Sequence, residues 1–146
     1  MKIKNARRTS VSDSFVEKAE CLTLWFHKLT EKSSEDAVIL VEGPKDLRAL
    51  RSAGVGGKIF CVMGKRMSLQ DSLAPFLDSD SEVIVLTDFD RSGRHLLGRI
   101  SRYLSSHGKV PNLNFWVKLH GLASSDIKDI EGLVTYVQNV QNKAAL

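Results

Sequence analysis

Short apolar runs alternate with amphipathic stretches along most of this chain. Val38-Ile39-Leu40-Val41 and Val83-Ile84-Val85-Leu86 are Val- and Ile-rich and are stopped by polar turn residues. Runs of this length and composition predict strands buried on both faces. The segments 37–41, 58–63, 82–87 and 113–119 are read as four strands. Before them, Phe15, Ala19, Leu22, Phe26 and Leu29 recur at helical spacing, with Trp25 widening the stripe. That pattern predicts a helix over 14–30, capped by Ser12 or Asp13.

Between the strands, Pro44 suits the first turn of a helix carrying Leu47, Leu50 and Ala53, closed by Gly54, Gly56 and Gly57. A short helix is expected over 68–77, shortened or kinked by Pro75, and a longer one over 92–106. The tail 126–141 reads as helical, interrupted near Gly132. Strands alternating with helices imply an α/β domain, with a four-stranded, mostly parallel sheet covered by helices and preceded by an N-terminal helix.

Composition narrows the class. At 146 residues the chain is long enough for one domain with a real core. No apolar run approaches the roughly 18 residues of a membrane span, and the basic start is not followed by an apolar stretch, so neither a membrane anchor nor a signal peptide is expected. Cys21 and Cys61 stand far apart, which argues against a disulfide or a cysteine-based zinc site and for a reducing cytoplasm. The net charge is +4, and Lys2, Lys4, Arg7 and Arg8 supply as many positive charges with no acid among the first ten residues. Such an arm can lie along a phosphate backbone or be solvated.

The candidate chemistry sits at two strand ends. Val41 is followed by Glu42-Gly43-Pro44-Lys45-Asp46, and Thr87 by Asp88-Phe89-Asp90-Arg91-Ser92-Gly93. In open parallel sheets, ligands gather at the carboxyl ends of strands. Residues two apart in an extended segment point the same way, so Asp88 and Asp90 can aim at one point while Phe89 turns into packing. Converging carboxylates repel unless a cation lies between them. An all-oxygen set favours Mg²⁺ or Mn²⁺. Glu42 is a third ligand or a general acid/base. Gly43 and Gly93 allow sharp turns or close approach to a phosphate. Read without function, the same acids are turn formers and helix caps.

With these motifs the sequence resembles the Toprim domain, the metal-binding catalytic module of topoisomerases, bacterial-type primases, overcoming-lysogenization nucleases and 5S ribosomal RNA maturases. That family carries a Glu, usually followed by Gly, after its first strand and an Asp-x-Asp after its third; Glu42-Gly43 and Asp88-Phe89-Asp90 match, and Arg91 and Gly93 continue the second motif. The resemblance covers residues 36–120, leaving 1–35 as basic arm and N-terminal helix and 121–146 as a helical tail. In size the chain is most similar to the small stand-alone Toprim proteins of archaea. The resemblance implies a Rossmann-like Toprim fold, Mg²⁺ held by Asp88 and Asp90 with Glu42 alongside, and phosphodiester cleavage or transfer with Glu42 as general acid/base. No tyrosine-bearing topoisomerase domain, primase zinc ribbon or phosphate-binding ATPase loop is visible. A nuclease akin to the RNA maturases, favouring RNA over DNA, is the expectation that survives.

The segment after Asp90 is read independently. Placed on a helix at about 100° per residue, Arg94, His95, Arg99 and Arg102 fall on the side of Arg91, opposite Leu96, Leu97, Ile100, Tyr103 and Leu104. No acid occurs between Arg91 and Val110. A face of one sign beside the proposed metal suits phosphate, which Arg grips with paired donors. Lys45, Arg48, Lys65 and Arg66 are expected at the same sheet edge, which would set the acids in a basic groove. His27, His95, His107 and His120 lack metal-ligand spacing. Trp116 is read as core or as an exposed edge aromatic able to stack on a base. Asp126, Asp129 and Glu131 are weaker candidates for a further ligand.

The other reading is a non-catalytic nucleic-acid-binding module of this fold, acting with a protein partner in a larger assembly. A phosphatase of the haloacid dehalogenase type ranks last, because its Asp pair follows the first strand and not the third.

Overall fold

The computed structural model describes residues 2–64, 66–127 and 129–145, with side chains described over 16–139 except at 65, 128 and 131. Six helices and three strands follow in the order α1 (Lys2–Ser34), β1 (Val38–Val41), α2 (Pro44–Ser52), β2 (Lys58–Cys61), α3 (Leu69–Leu73), β3 (Val83–Val85), α4 (Arg91–Ser106), α5 (Asn114–Ala123) and α6 (Ile130–Ala145). The sheet is parallel with order β2-β1-β3. Leu40 of the central strand is in register with Phe60 on one side and Val85 on the other.

Side-chain alternation divides the core. Val38, Leu40, Val83 and Val85 face one layer, closed by Leu69 and Leu73 of α3 and Leu96, Ile100 and Leu104 of α4. Ile39, Val41 and Ile84 face the other, where α1, α2, α5 and α6 contribute Leu22, Leu50, Leu119 and Leu133. α6 packs against both α1 and α2.

Three expectations change. The fourth strand is absent: 114–123 is the helix α5, and only Asn112 bridges to Ile84. A short apolar run is ambiguous between strand and buried helix. Here Phe115, Trp116, Leu119 and Ala123 form a buried helical stripe, while the Asn112 side chain accepts the Asn114 N–H at 2.9 Å as the chain enters the helix. The N-terminal helix runs from Lys2, so residues 2–8 are helical and Ser12 and Asp13 lie inside the helix. That stretch holds Ala, Lys and Arg and no Gly or Pro, so nothing breaks the helix before the main stripe. The side chains of Lys2, Lys4, Arg7 and Arg8 lie outside the described residues. The tail helix, finally, is continuous through Gly132, which sits in its first turn and donates to Asp129 Oδ1 at 2.7 Å.

Pro75 acts as expected: α3 ends at Leu73 and is followed by a single 3₁₀ turn, Ala74–Phe76. No helix among the described residues is long and apolar enough to cross a membrane. Cys21 and Cys61 are not joined in a disulfide.

Candidate metal and nucleic-acid site

Strand order builds this site. β1 leads through α2 to β2 on one flank, and β3 returns to the other, so connections diverge between β1 and β3. Parallel α/β sheets open a crevice at such a point, at the strands' carboxyl ends. Glu42 follows β1 there and Asp88 lies three residues beyond β3. The strands stay paired to that edge, with Leu86 N–H donating to Leu40 C=O at 2.8 Å.

Each acid of the two motifs spends one oxygen on a backbone donor. Glu42 Oε1 accepts the Asp88 N–H at 3.3 Å. Asp88 Oδ1 accepts the Ile130 N–H at 3.1 Å, at the start of α6. Asp90 Oδ1 accepts the Gly93 N–H at 2.7 Å and caps α4. The second oxygen of each is left without a hydrogen-bond donor among the described residues.

Burial raises the Glu42 carboxyl above its ordinary range, and Asp46 and Asp90 add to the shift against the Asp88 N–H bond. Burial pushes Asp88 up to about 7, with Asp46, Glu42 and Asp129 reinforcing it and the Ile130 N–H opposing it. These are acids crowded in a half-dry crevice, the condition a cation relieves.

Two further acids, Asp46 and Asp129, add to this crowding. Asp46 is buried, and its Oδ2 accepts the Gly43 N–H at 3.1 Å. Its position one helical turn after Glu42 was the available signal, but an acid in a first helical turn is ordinarily a solvated cap. Asp129 reaches the site's field from the tail. Asp126 does not: it pairs with Lys18 at 3.5 Å and accepts the Tyr136 hydroxyl at 2.8 Å. The side chain of Glu131 is outside the described residues.

Gly93 is required by packing. A Cβ there would lie 2.1 Å from the Asp88 carbonyl oxygen. Thr87, fully buried, donates its hydroxyl to the Gly93 carbonyl at 2.7 Å, pressing the first turn of α4 onto the strand end. Gly43 is extended, with open space where a side chain would be. Trp116 is core and no edge aromatic: it is buried, donates Nε1–H to Thr87 C=O at 2.9 Å and stacks on His120. It buttresses the second motif from behind, together with Phe89.

The expected cations lie on α2, on α4 and in the loop after β2. Arg91, Arg94, His95, Arg99 and Arg102 are all exposed on α4, and none pairs with an acid among the described residues. Arg91 and Arg94 open the helix beside Asp90, whereas Arg99 and Arg102 lie about 12–17 Å further along its axis. Lys45 and Arg48 are exposed on α2. The exposed Arg66 lies in the loop after β2, where Met63 N–H donates to Glu42 C=O at 2.9 Å. Lys65 lies outside the described residues. α2 and α4 flank opposite faces of the sheet.

An acidic crevice at the divergence point of a parallel sheet, with a basic helix starting beside it, defines the class: an α/β domain with its candidate site at the strands' carboxyl ends. The chain belongs to the Toprim domain family, whose pattern matches residues 37–120. It is 34% identical over 119 residues to a UPF0292 protein of Methanosarcina acetivorans, covering 82% of this chain and 81% of the relative. A UPF0292 protein of Thermococcus onnurineus is 38% identical over 109 residues, 74% of this chain and 80% of the relative. In fold the chain is similar to a solved protein from Aquifex aeolicus, with a TM-score of 0.62 and 31% identity over 75% of this chain and 94% of that one. Family membership places it among domains with metal-dependent, nucleic-acid-related functions.

The donor set, carboxylate oxygens alone, is of the kind that hard divalent cations take. Among the described residues no three acidic, histidine or cysteine side chains form a closed metal cage. Mg²⁺ does not need one, since it commonly binds through one or two carboxylates with waters and substrate phosphate completing the shell. Asp88 and Asp90 each have an oxygen to offer.

Proposed function

We propose that this protein is a Mg²⁺-dependent phosphodiesterase acting on nucleic acid, with structured RNA as the favoured substrate. The observation that carries the reading is the junction of Glu42 and Asp88 at the ends of two paired strands, beside an arginine face without acidic partners among the described residues.

Asp88 and Asp90 would hold the ion. When bound, it supplies positive charge to the phosphoryl oxygens and to the attacking oxygen. Glu42 moves the proton at Oε2, because Oε1 is held by the Asp88 N–H. Its raised pKa brings it closer to the pH at which an acid/base is effective. Arg91 and Arg94 orient the phosphate and oppose charge developing on it, while Arg99 and Arg102 hold the flanking strand.

A second reading is a binding module of this fold that does no chemistry unaided and acts with a partner protein. Cleavage of labelled RNA by the purified chain with Mg²⁺, compared with Glu42→Gln, separates the two.

A further inference from the structure

A cleft of about 600 Å³ runs between α1 and α5, bordered by residues flanking the amino end of β3, away from the acids. Trp25, Phe115 and Leu122 line it, and Leu24, half exposed, stands at its lip. Its α1 wall follows one helical stripe from Cys21 to Lys32, which spans about 16 Å, or three turns.

The charge of the cleft has one sign in excess. Lys32 is paired with Glu82 at 3.3 Å. Lys28 on the α1 wall and Lys118 on the α5 wall have no acidic partner among the described residues. An apolar trough a few turns long with a cation on each side matches the groove that receives an amphipathic helix.

From this we infer that the α1–α5 cleft docks an acidic amphipathic helix of a partner protein. The apolar residues would pack into the trough, and carboxylates on both flanks would meet Lys28 and Lys118. A nucleic-acid backbone would leave the apolar lining uncovered. A second copy of this chain carries a net charge of +4 and is a poor complement. The inference is independent of the phosphodiesterase reading, because no cleft residue belongs to the acid site.

Cys21 provides the readout, being exposed within the cleft. The probe is a synthetic helix of roughly 14 residues, with Leu on one face and Glu on the other. Its control carries Lys in place of Glu. The full chain is treated with a maleimide, and alkylation at Cys21 and Cys61 is followed separately by peptide mapping. The acidic helix should slow Cys21 alkylation by about tenfold when present at roughly ten times its Kd, leaving Cys61 unchanged. Leu24→Glu, and separately Lys28→Glu with Lys118→Glu, should abolish that protection; these positions are exposed and leave the core intact. Equal protection by the Lys-faced helix, no protection by either, protection surviving in the variants, or protection by labelled RNA alone would each overturn the inference.

Discussion

Glu42 Oε1 accepts the Asp88 backbone N–H at 3.3 Å, so the acid ending β1 is tied to the turn that carries the Asp pair. One bond links the two motifs, and it leaves Oε2 as the Glu42 atom free to exchange a proton.

The crowding of these acids sets a pH dependence. Folding raises Asp88 from its ordinary 3.8 to about 7 and raises Glu42 in the same direction. Between those values the folded state holds more protons than the unfolded one, so stability falls as pH rises. In chelator, the melting temperature should carry a component that declines from about pH 4 to about pH 7, and Asp88→Asn should flatten it. Saturating Mg²⁺ should raise the melting temperature above pH 7 in the wild type and not in that variant. A Mg²⁺ effect of equal size in both would place the ion elsewhere.

Asp90 has two separable roles. Its carboxylate caps α4 through the Gly93 N–H, and in the proposed function its other oxygen binds the ion. Asp90→Asn keeps a capping oxygen and should change stability by no more than about 0.5 kcal/mol, whereas Asp90→Ala should cost about 1 kcal/mol. Both should lose Mg²⁺-dependent stabilisation. Denaturant titrations with and without the ion read the two effects apart.

Gly93→Ala should be severe. The added methyl meets the Asp88 carbonyl at 2.1 Å and must displace either α4 or the strand end. A loss of about 2–4 kcal/mol is expected, measured by urea unfolding. A near-neutral result would mean that the turn is wider than described.

The arginines should divide by distance from the acids. Arg99→Ala with Arg102→Ala should weaken duplex binding and lower the salt slope by about 1.8, the loss of two phosphate contacts. Turnover of bound substrate should survive. Arg94→Ala should reduce turnover as well as binding. An unchanged salt slope in the Arg99/Arg102 double variant would remove the outer half of α4 from the interface.

The elements that carry the candidate site are legible in the sequence where their signals are local. Apolar runs ending in Glu-Gly and Asp-x-Asp mark strand ends whatever the strand order, and the polarity of α4 follows from helical spacing alone: Leu96, Ile100 and Leu104 are buried and the Arg residues exposed. Tertiary information was harder to see. The run 113–119 has strand-like composition, and only its packing beneath the second motif, through Phe115, Trp116 and Leu119, reveals a helix. Asp46 reads as an ordinary helix-start acid until the fold buries it beside Glu42. Ile130 carries no chemical signal at all, since it is its backbone N–H that meets Asp88.

The most direct measurement is cleavage of labelled structured RNA and duplex DNA by the purified chain, with Mg²⁺, with Mn²⁺ and with chelator, beside Glu42→Gln. The account predicts metal-dependent cleavage, faster on RNA, that falls by about 10²–10⁴-fold in the variant while binding persists. Binding without cleavage under every condition, equal in the two proteins, would contradict it.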